Sequence, residues 1–182
     1  MIVSSSILNA QVMEPDSLII NQTWNDKNGH NELYIRVYAA CSPDDLDKPP
    51  MGHESKIQVK LKNKKHDLAI HYELEFEQYQ MQMLLFYEDD IRYFKIKGAQ
   101  AVFIPFFYCG NYDSINRVSY IILYNNKAYL KHIVFYCSEN GKCRLWDDLP
   151  NLSDMSKVLK KKLISEVEKY NDIKDFHDDW GW

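Results

Sequence analysis

The chain is poor in glycine and proline, with six of each among 182 residues. It contains no Walker loop, no GxGxxG and no GxSxG, and the HExxH and EF-hand patterns are also missing. Its four cysteines form no CxxC pair, so the spacing of zinc ribbons and thioredoxin-type sites is absent. These absences exclude the nucleotide-binding, metalloprotease and calcium-binding classes that depend on such motifs, and no metal or other cofactor is expected.

Long hydrophobic runs and an excess of basic residues are also lacking. The longest apolar runs, such as residues 101–109, stop far short of the roughly 20 residues that span a bilayer. Residues 1–12 contain no Lys or Arg and no long apolar stretch, which makes them a poor secretory signal. We therefore expect a cytoplasmic protein with reduced thiols and no membrane contact. The net charge of −4 argues against a nucleic-acid partner.

Acidic residues are concentrated towards the two ends of the chain. Residues 1–54 carry 8 acidic and 3 basic residues, and residues 147–182 carry 9 and 6, whereas residues 55–146 carry 9 and 13. We interpret residues 1–182 as a single domain, with residues 42–55 as a long acidic, proline-rich loop and residues 175–182 as an acidic–aromatic tail. Acidic surfaces of this kind favour encounter with a basic protein partner.

Apolar residues alternate with polar ones through most of residues 17–146, which predicts β-strands. Turn-forming residues separate the strands: residues 25–29, the three consecutive acids at 88–90, and Asn125 with Asn126. Pro105 predicts an edge or a bulge within its strand. The pattern predicts a mainly antiparallel, meandering β-sheet of about ten strands, curled or two-layered, with a closed barrel as the alternative.

The clearest predicted hairpin spans residues 56–77. A four-residue loop, residues 63–66, places Leu61 opposite Leu68 and Lys56 beside Glu73. Because opposite charges across strands stabilise a sheet, we interpret the lysines here as a sheet face rather than as a phosphate site.

Cys137 and Cys143 flank a turn that contains Asn140 and Gly141. A two-residue type I′ turn pairs Ser138 with Cys143 and puts the two cysteines on opposite faces. A three-residue loop pairs Cys137 directly with Cys143, and a disulfide is then possible. The sequence leaves both registers open.

The hydrophobic period changes after Pro150 and predicts a C-terminal amphipathic α-helix over residues 153–172, with Ser153 as its N-cap and Asp154 in its first turn. The fold class is therefore α+β. The apolar stripe of this helix comprises Met155, Val158 or Leu159, Leu163, Val167 and Tyr170. We interpret the lysines between these positions as a solvated face.

Groups able to carry catalysis are scattered, and no spacing rule joins them. An enzyme with a divergent site around His53, Cys109 or His132 is one alternative. Exposed, coplanar aromatic rings would instead suit a carbohydrate- or small-ligand-binding β-domain, which is a second alternative.

The aromatic content, with 13 Tyr and 4 Trp, indicates interface hot spots beside the acidic residues. We predict a non-enzymatic, protein-binding inhibitor. In size and charge the chain is similar to immunity proteins, which neutralise bacterial toxins, and that similarity implies occlusion of a toxin's active site by a protein–protein contact. The predicted partner-binding residues are Asp44, Asp45, Asp47, Asp178, Asp179, Trp180 and Trp182.

Overall fold

The computed structural model describes residues 17–38, 56–63, 68–75, 83–109, 117–137, 143–145 and 152–170. The strands are β1 (Ser17–Asp26), β2 (Gly29–Tyr38), β3 (Lys56–Asn63), β4 (Leu68–Glu75), β5 (Met83–Leu85), β6 (Arg92–Ile96), β7 (Ala99–Cys109), β8 (Arg117–Tyr124), β9 (Lys127–Cys137) and β10 (Cys143–Leu145). One helix, α1 (Lys157–Tyr170), follows them. No helix within the described ranges is long and apolar enough to cross a membrane.

The first sheet is antiparallel and has the order β1-β2-β3-β4. Its buried face follows the alternation of the sequence: in β2, Leu33, Ile35 and Val37 are buried. Strands β1 and β2 meet at a tight turn in which Asp26 pairs with Gly29, whose φ of 107° is open to glycine. Hydrophobic alternation therefore sets which side of this sheet faces the core.

The register of β3 against β4 differs from the prediction by two residues. Leu61 pairs with Ile70, and Lys56 pairs with Glu75 rather than Glu73. The reason lies at Asn63, which extends β3: its Nδ2 donates to Asn31 Oδ1 over 2.7 Å, and both side chains are buried. A shift of two residues keeps every side chain on its predicted face, so the sequence pattern was equally consistent with both registers.

The second sheet is antiparallel and has the order β10-β9-β8-β7-β5, with β6 also paired to β7. On one side of β7, β6 pairs as far as Phe103 and β5 pairs from Phe107 onward. Pro105 lies between these two stretches, opposite Tyr120 of β8 on the other side. A residue without an amide hydrogen is tolerated at such a local edge, as the sequence indicated.

Two apolar layers hold these elements together. The first lies between the sheets and joins residues of both, including Ile35, Val59, Ile104 and Ile121. The second lies between the outer face of the second sheet and α1, where Phe103 and Tyr120 meet Leu159 and Leu163, among others. The predicted α+β class, with antiparallel sheets and one C-terminal helix, is confirmed. Within the described residues the strands form two separate sheets rather than one closed barrel.

The helix begins later than predicted. The backbone N–H of Leu159 donates to Ser156 Oγ over 3.3 Å, and Lys160 N–H donates to the Ser156 carbonyl over 2.9 Å, which makes Ser156 the N-cap instead of Ser153. Leu159 occupies the buried stripe, whereas Val158 is exposed.

Candidate functional site

The seven residues predicted to contact a partner lie outside the described residues. They belong to the ranges 42–55 and 175–182, and their role stays a prediction: Asp44, Asp45, Asp47, Asp178, Asp179, Trp180 and Trp182. His53 also falls outside the described residues, and the side chain of Cys109 is not described. The surface of the two sheets and the helix carries two candidate sites.

An acidic turn joins β5 to β6. Residues Glu88–Asp90 form a single 3-10 turn, in which Ile91 N–H donates to the Glu88 carbonyl over 3.1 Å. Glu88 and Asp89 are exposed, and Asp90 is half-buried. The turn was predicted from its three consecutive acids, which are poor strand formers.

Arg92 braces this turn from the first position of β6. Its guanidinium donates to the carbonyl oxygen of Asp89 and lies 3.6 Å from Asp90 Oδ1. Burial raises the pKa of the Asp90 carboxyl and Asp89 raises it further, while Arg92 opposes the shift. One arginine thus fixes the backbone of the turn, while Glu88 and Asp89 remain at the surface.

Aromatic rings lie beside these carboxylates. Tyr93 is 41% exposed, and its ring packs edge-on to the half-buried Trp24 of β1, with ring centroids 6.5 Å apart. Burial raises the pKa of Tyr93 and the charge of Glu88 raises it further. Burial and Asp90 act on Tyr87 in the same direction. We call this set the acidic–aromatic patch: Trp24, Tyr87, Glu88, Asp89, Asp90 and Tyr93.

Asp26 fixes the position of Trp24 relative to β7. Its carboxylate accepts hydrogen bonds from the Gln100 and Asn28 backbone amides, both over 2.7 Å, and from the Asn31 amide and the Trp24 indole, both over 3.3 Å. Partial burial raises the pKa of Asp26, but these hydrogen bonds outweigh it and the net shift is downward. Sequence reasoning placed Asp26 in a turn but had no signal for the bond to Gln100, which is 74 residues away.

A second surface, of opposite charge, is an open groove of about 570 Å³ between β6 and α1. We call it the lysine groove, and its lining comprises Phe94, Lys95, Ile96, Lys157, Val158, Lys161, Lys162 and Ser165. Lys162 Nζ lies 3.9 Å from the centre of the Phe94 ring and 3.7 Å from Glu166 Oε1, and Glu166 is buried. The exposure of Lys157 and Lys161 agrees with the predicted solvated face, but the apolar wall beside them was not predicted.

The histidine singled out from the sequence, His132, lies in β9 opposite Ser119 of β8. Its Nδ1 is 2.7 Å from Ser119 Oγ, and Ser119 is fully buried. Because this hydroxyl has no exposed surface, the contact links β8 and β9 within the sheet. Within the described ranges, no group of three His, Cys, Asp or Glu side chains can hold a metal ion.

No family model, no curated protein and no solved structure matches this chain. The acidic–aromatic patch and the lysine groove are the two candidate functional surfaces among the described residues.

Proposed function

We propose that this protein is a non-enzymatic, protein-binding inhibitor whose partner presents a basic surface. The observation that carries the proposal is the acidic–aromatic patch, where exposed Glu88 and Asp89 adjoin the partly exposed ring of Tyr93. Carboxylates steer a basic partner during encounter, and a tyrosine supplies contact area with little loss of side-chain entropy. The carboxylates lie on one short turn, and the tyrosine lies on the strand that follows it directly.

The patch is built to bind without rearranging. Its backbone is closed by the hydrogen bond from Ile91 to Glu88 and by the Arg92 guanidinium. Its ring pair is held through the Trp24 indole, which donates to Asp26. Surfaces that are already ordered bind more tightly, because less entropy is lost on association.

We propose that the basic partner is a toxin and that this protein is an immunity protein in a bacterial cytoplasm. In that role it would occlude the active site of the toxin. A stable interface buries about 800 Å² on each partner, more than one turn supplies. We propose that residues 42–55 and 175–182 complete the interface through their aspartates and tryptophans. The patch favours this function over sugar binding, because the rings of Trp24 and Tyr93 meet at 67° and form no flat platform.

The proposal is tested by affinity capture from the native host with matched baits. The wild-type chain should retain a basic protein that the double variant Glu88→Gln/Asp89→Asn retains poorly. The control bait, Glu32→Gln, changes a carboxylate on β2 and should retain as much partner as the wild type. The captured protein should also be toxic when expressed alone and harmless when this chain is co-expressed. Equal retention by the double variant, or toxicity that co-expression does not relieve, would contradict the proposal.

A further inference from the structure

The lysine groove presents two kinds of surface to an occupant, one positively charged and one apolar. Lys95, Lys157 and Lys161 are exposed cations along its length. Val158 is 45% exposed on the helix side, and Phe94 lies on the sheet side. An occupant complementary to both surfaces carries carboxylates for the lysines and large apolar side chains for the apolar wall, within one short segment.

The chain itself contains such a segment. Residues 171–182, which lie outside the described residues, read NDIKDFHDDWGW, with four aspartates and one lysine. The same twelve residues contain Ile173, Phe176, Trp180 and Trp182. We propose that the lysine groove binds this C-terminal segment in the free protein, with its aspartates at the lysines and an aromatic ring against Phe94 and Val158.

The connection is long enough. The helix ends at Tyr170, and the groove runs along it from Ser165 to Lys157, which at 1.5 Å per residue is about 12 Å. Twelve residues span up to about 40 Å when extended. Residues 171–173 are therefore available to reverse direction, and the remaining nine are enough to cover the groove.

Tethering compensates for the weakness of exposed ion pairs. A short linker holds a segment near its site at an effective concentration in the millimolar range, so a contact too weak to detect between separate molecules is populated within one chain. The inference concerns the free protein and does not depend on the proposed function. If the proposed function also holds, a partner that contacts Asp178 and Asp179 must first displace the segment from the groove.

Zero-length cross-linking of the full-length chain with a carbodiimide tests the placement. The carbodiimide adds to a carboxylate and activates it. The amine of a lysine in contact then attacks the activated carbonyl carbon, which forms an amide and releases the reagent as a urea. Digestion and mass spectrometry should identify amides between Asp175, Asp178 or Asp179 and Lys157 or Lys161. A mixture of isotopically light and heavy protein should show that these links lie within one chain.

A matched pair of variants provides the control. Val158→Glu keeps both lysines but puts a carboxylate on the apolar wall of the groove, and it should remove most of these cross-links. Lys127→Gln/Lys160→Gln should leave them unchanged, because neither of those lysines lines the groove. Equal links to Lys60 or Lys62, which lie on the other sheet, or links only between chains, would overturn the proposal.

Charge exchange gives an independent readout by NMR. The indole N–H signals of Trp180 and Trp182 should move towards random-coil positions in Lys157→Glu/Lys161→Glu and return when Asp178→Lys/Asp179→Lys is added. Indole signals that do not change across this cycle would also overturn the proposal. The capture experiment reads the acidic–aromatic patch, so the failure of either proposal is distinguishable from the failure of the other.

Discussion

The ammonium group of Lys131 lies 2.8 Å from Asp154 Oδ1 and 2.9 Å from its Oδ2, so one lysine grips both oxygens of one carboxylate. This pair joins β9 to the turn that precedes α1. Lys131 is buried, and Asp154 is half-exposed. The sequence placed Asp154 in the first turn of the helix, whereas the structure uses it to attach the start of the helix to the second sheet.

Removing the carboxylate of this pair should destabilise the protein. Asp154→Ala deprives a buried ammonium of its bidentate partner, and we expect a loss of about 1 kcal/mol in the free energy of unfolding, the solvent exposure of Asp154 limiting the effect. Lys131→Met/Asp154→Ala removes both charges and should recover part of the loss. Urea denaturation measures each variant. A double variant less stable than Asp154→Ala would show that the pair is not the relevant contact.

Asp26 should make the free energy of unfolding decrease at low pH. Its pKa is lowered in the folded state from an ordinary value of 3.8, so its contribution is complete above the unfolded pKa and is lost as the pH falls through the folded pKa. The free energy of unfolding should therefore decrease below about pH 4. Asp26→Asn should be less stable at pH 7 by roughly 1–2 kcal/mol, because an amide cannot accept all four hydrogen bonds.

The same variant provides the control for the pH effect. In Asp26→Asn the acid-dependent loss should be shallower than in the wild type, since the titrating group is gone. Parallel stability curves for the two proteins between pH 5 and about pH 2 would assign the acid sensitivity to other carboxyls.

Substitutions at Ser156 should show whether this residue is the N-cap of α1. Ser156→Ala removes the oxygen that accepts the Leu159 N–H, and we expect about 1 kcal/mol of destabilisation. Ser156→Asp keeps an acceptor at this position and should stay close to the wild type. Thermal unfolding followed by circular dichroism compares the two, and equal effects would contradict the cap assignment.

Cys137 and Cys143 should form a disulfide on mild oxidation. They are direct partners in the register of β9 and β10, which is the pairing expected from a three-residue loop and not the one expected from a two-residue turn. Directly opposed residues of antiparallel strands have Cα atoms about 4.5–5.5 Å apart, within the range that a disulfide spans. Mass spectrometry after treatment with diamide should show the loss of two hydrogen atoms within one chain, and Cys137→Ser should abolish it. Dimers linked by Cys137, with no internal link, would contradict this register.

Local signals in the sequence predicted a large part of the fold. The alternation of apolar and polar residues identified the buried faces of β2 and β3, because successive side chains of a strand point to opposite faces of the sheet. Asn125 and Asn126 identified the hairpin between β8 and β9, and both have the positive φ, 48° and 59°, that such turns require.

The remaining features depend on residues distant in sequence. The register of β3 is fixed by Asn31 and Asn63, and the attachment of α1 by Lys131 and Asp154, neither of which has a local signal. The acidic–aromatic patch likewise needs β1 beside β6, and the lysine groove needs β6 beside α1. Sequence reasoning identified the acidic turn, but it had no means of placing Trp24 next to Tyr93.

The central claim is that the acidic–aromatic patch binds a basic protein. The most direct measurement is calorimetric titration of the captured partner into the wild-type chain, Glu88→Gln/Asp89→Asn and the control Glu32→Gln. We predict that the double variant binds about tenfold more weakly and loses much of the salt dependence of binding, while Glu32→Gln binds like the wild type. Equal affinity and equal salt dependence for all three proteins would contradict the claim.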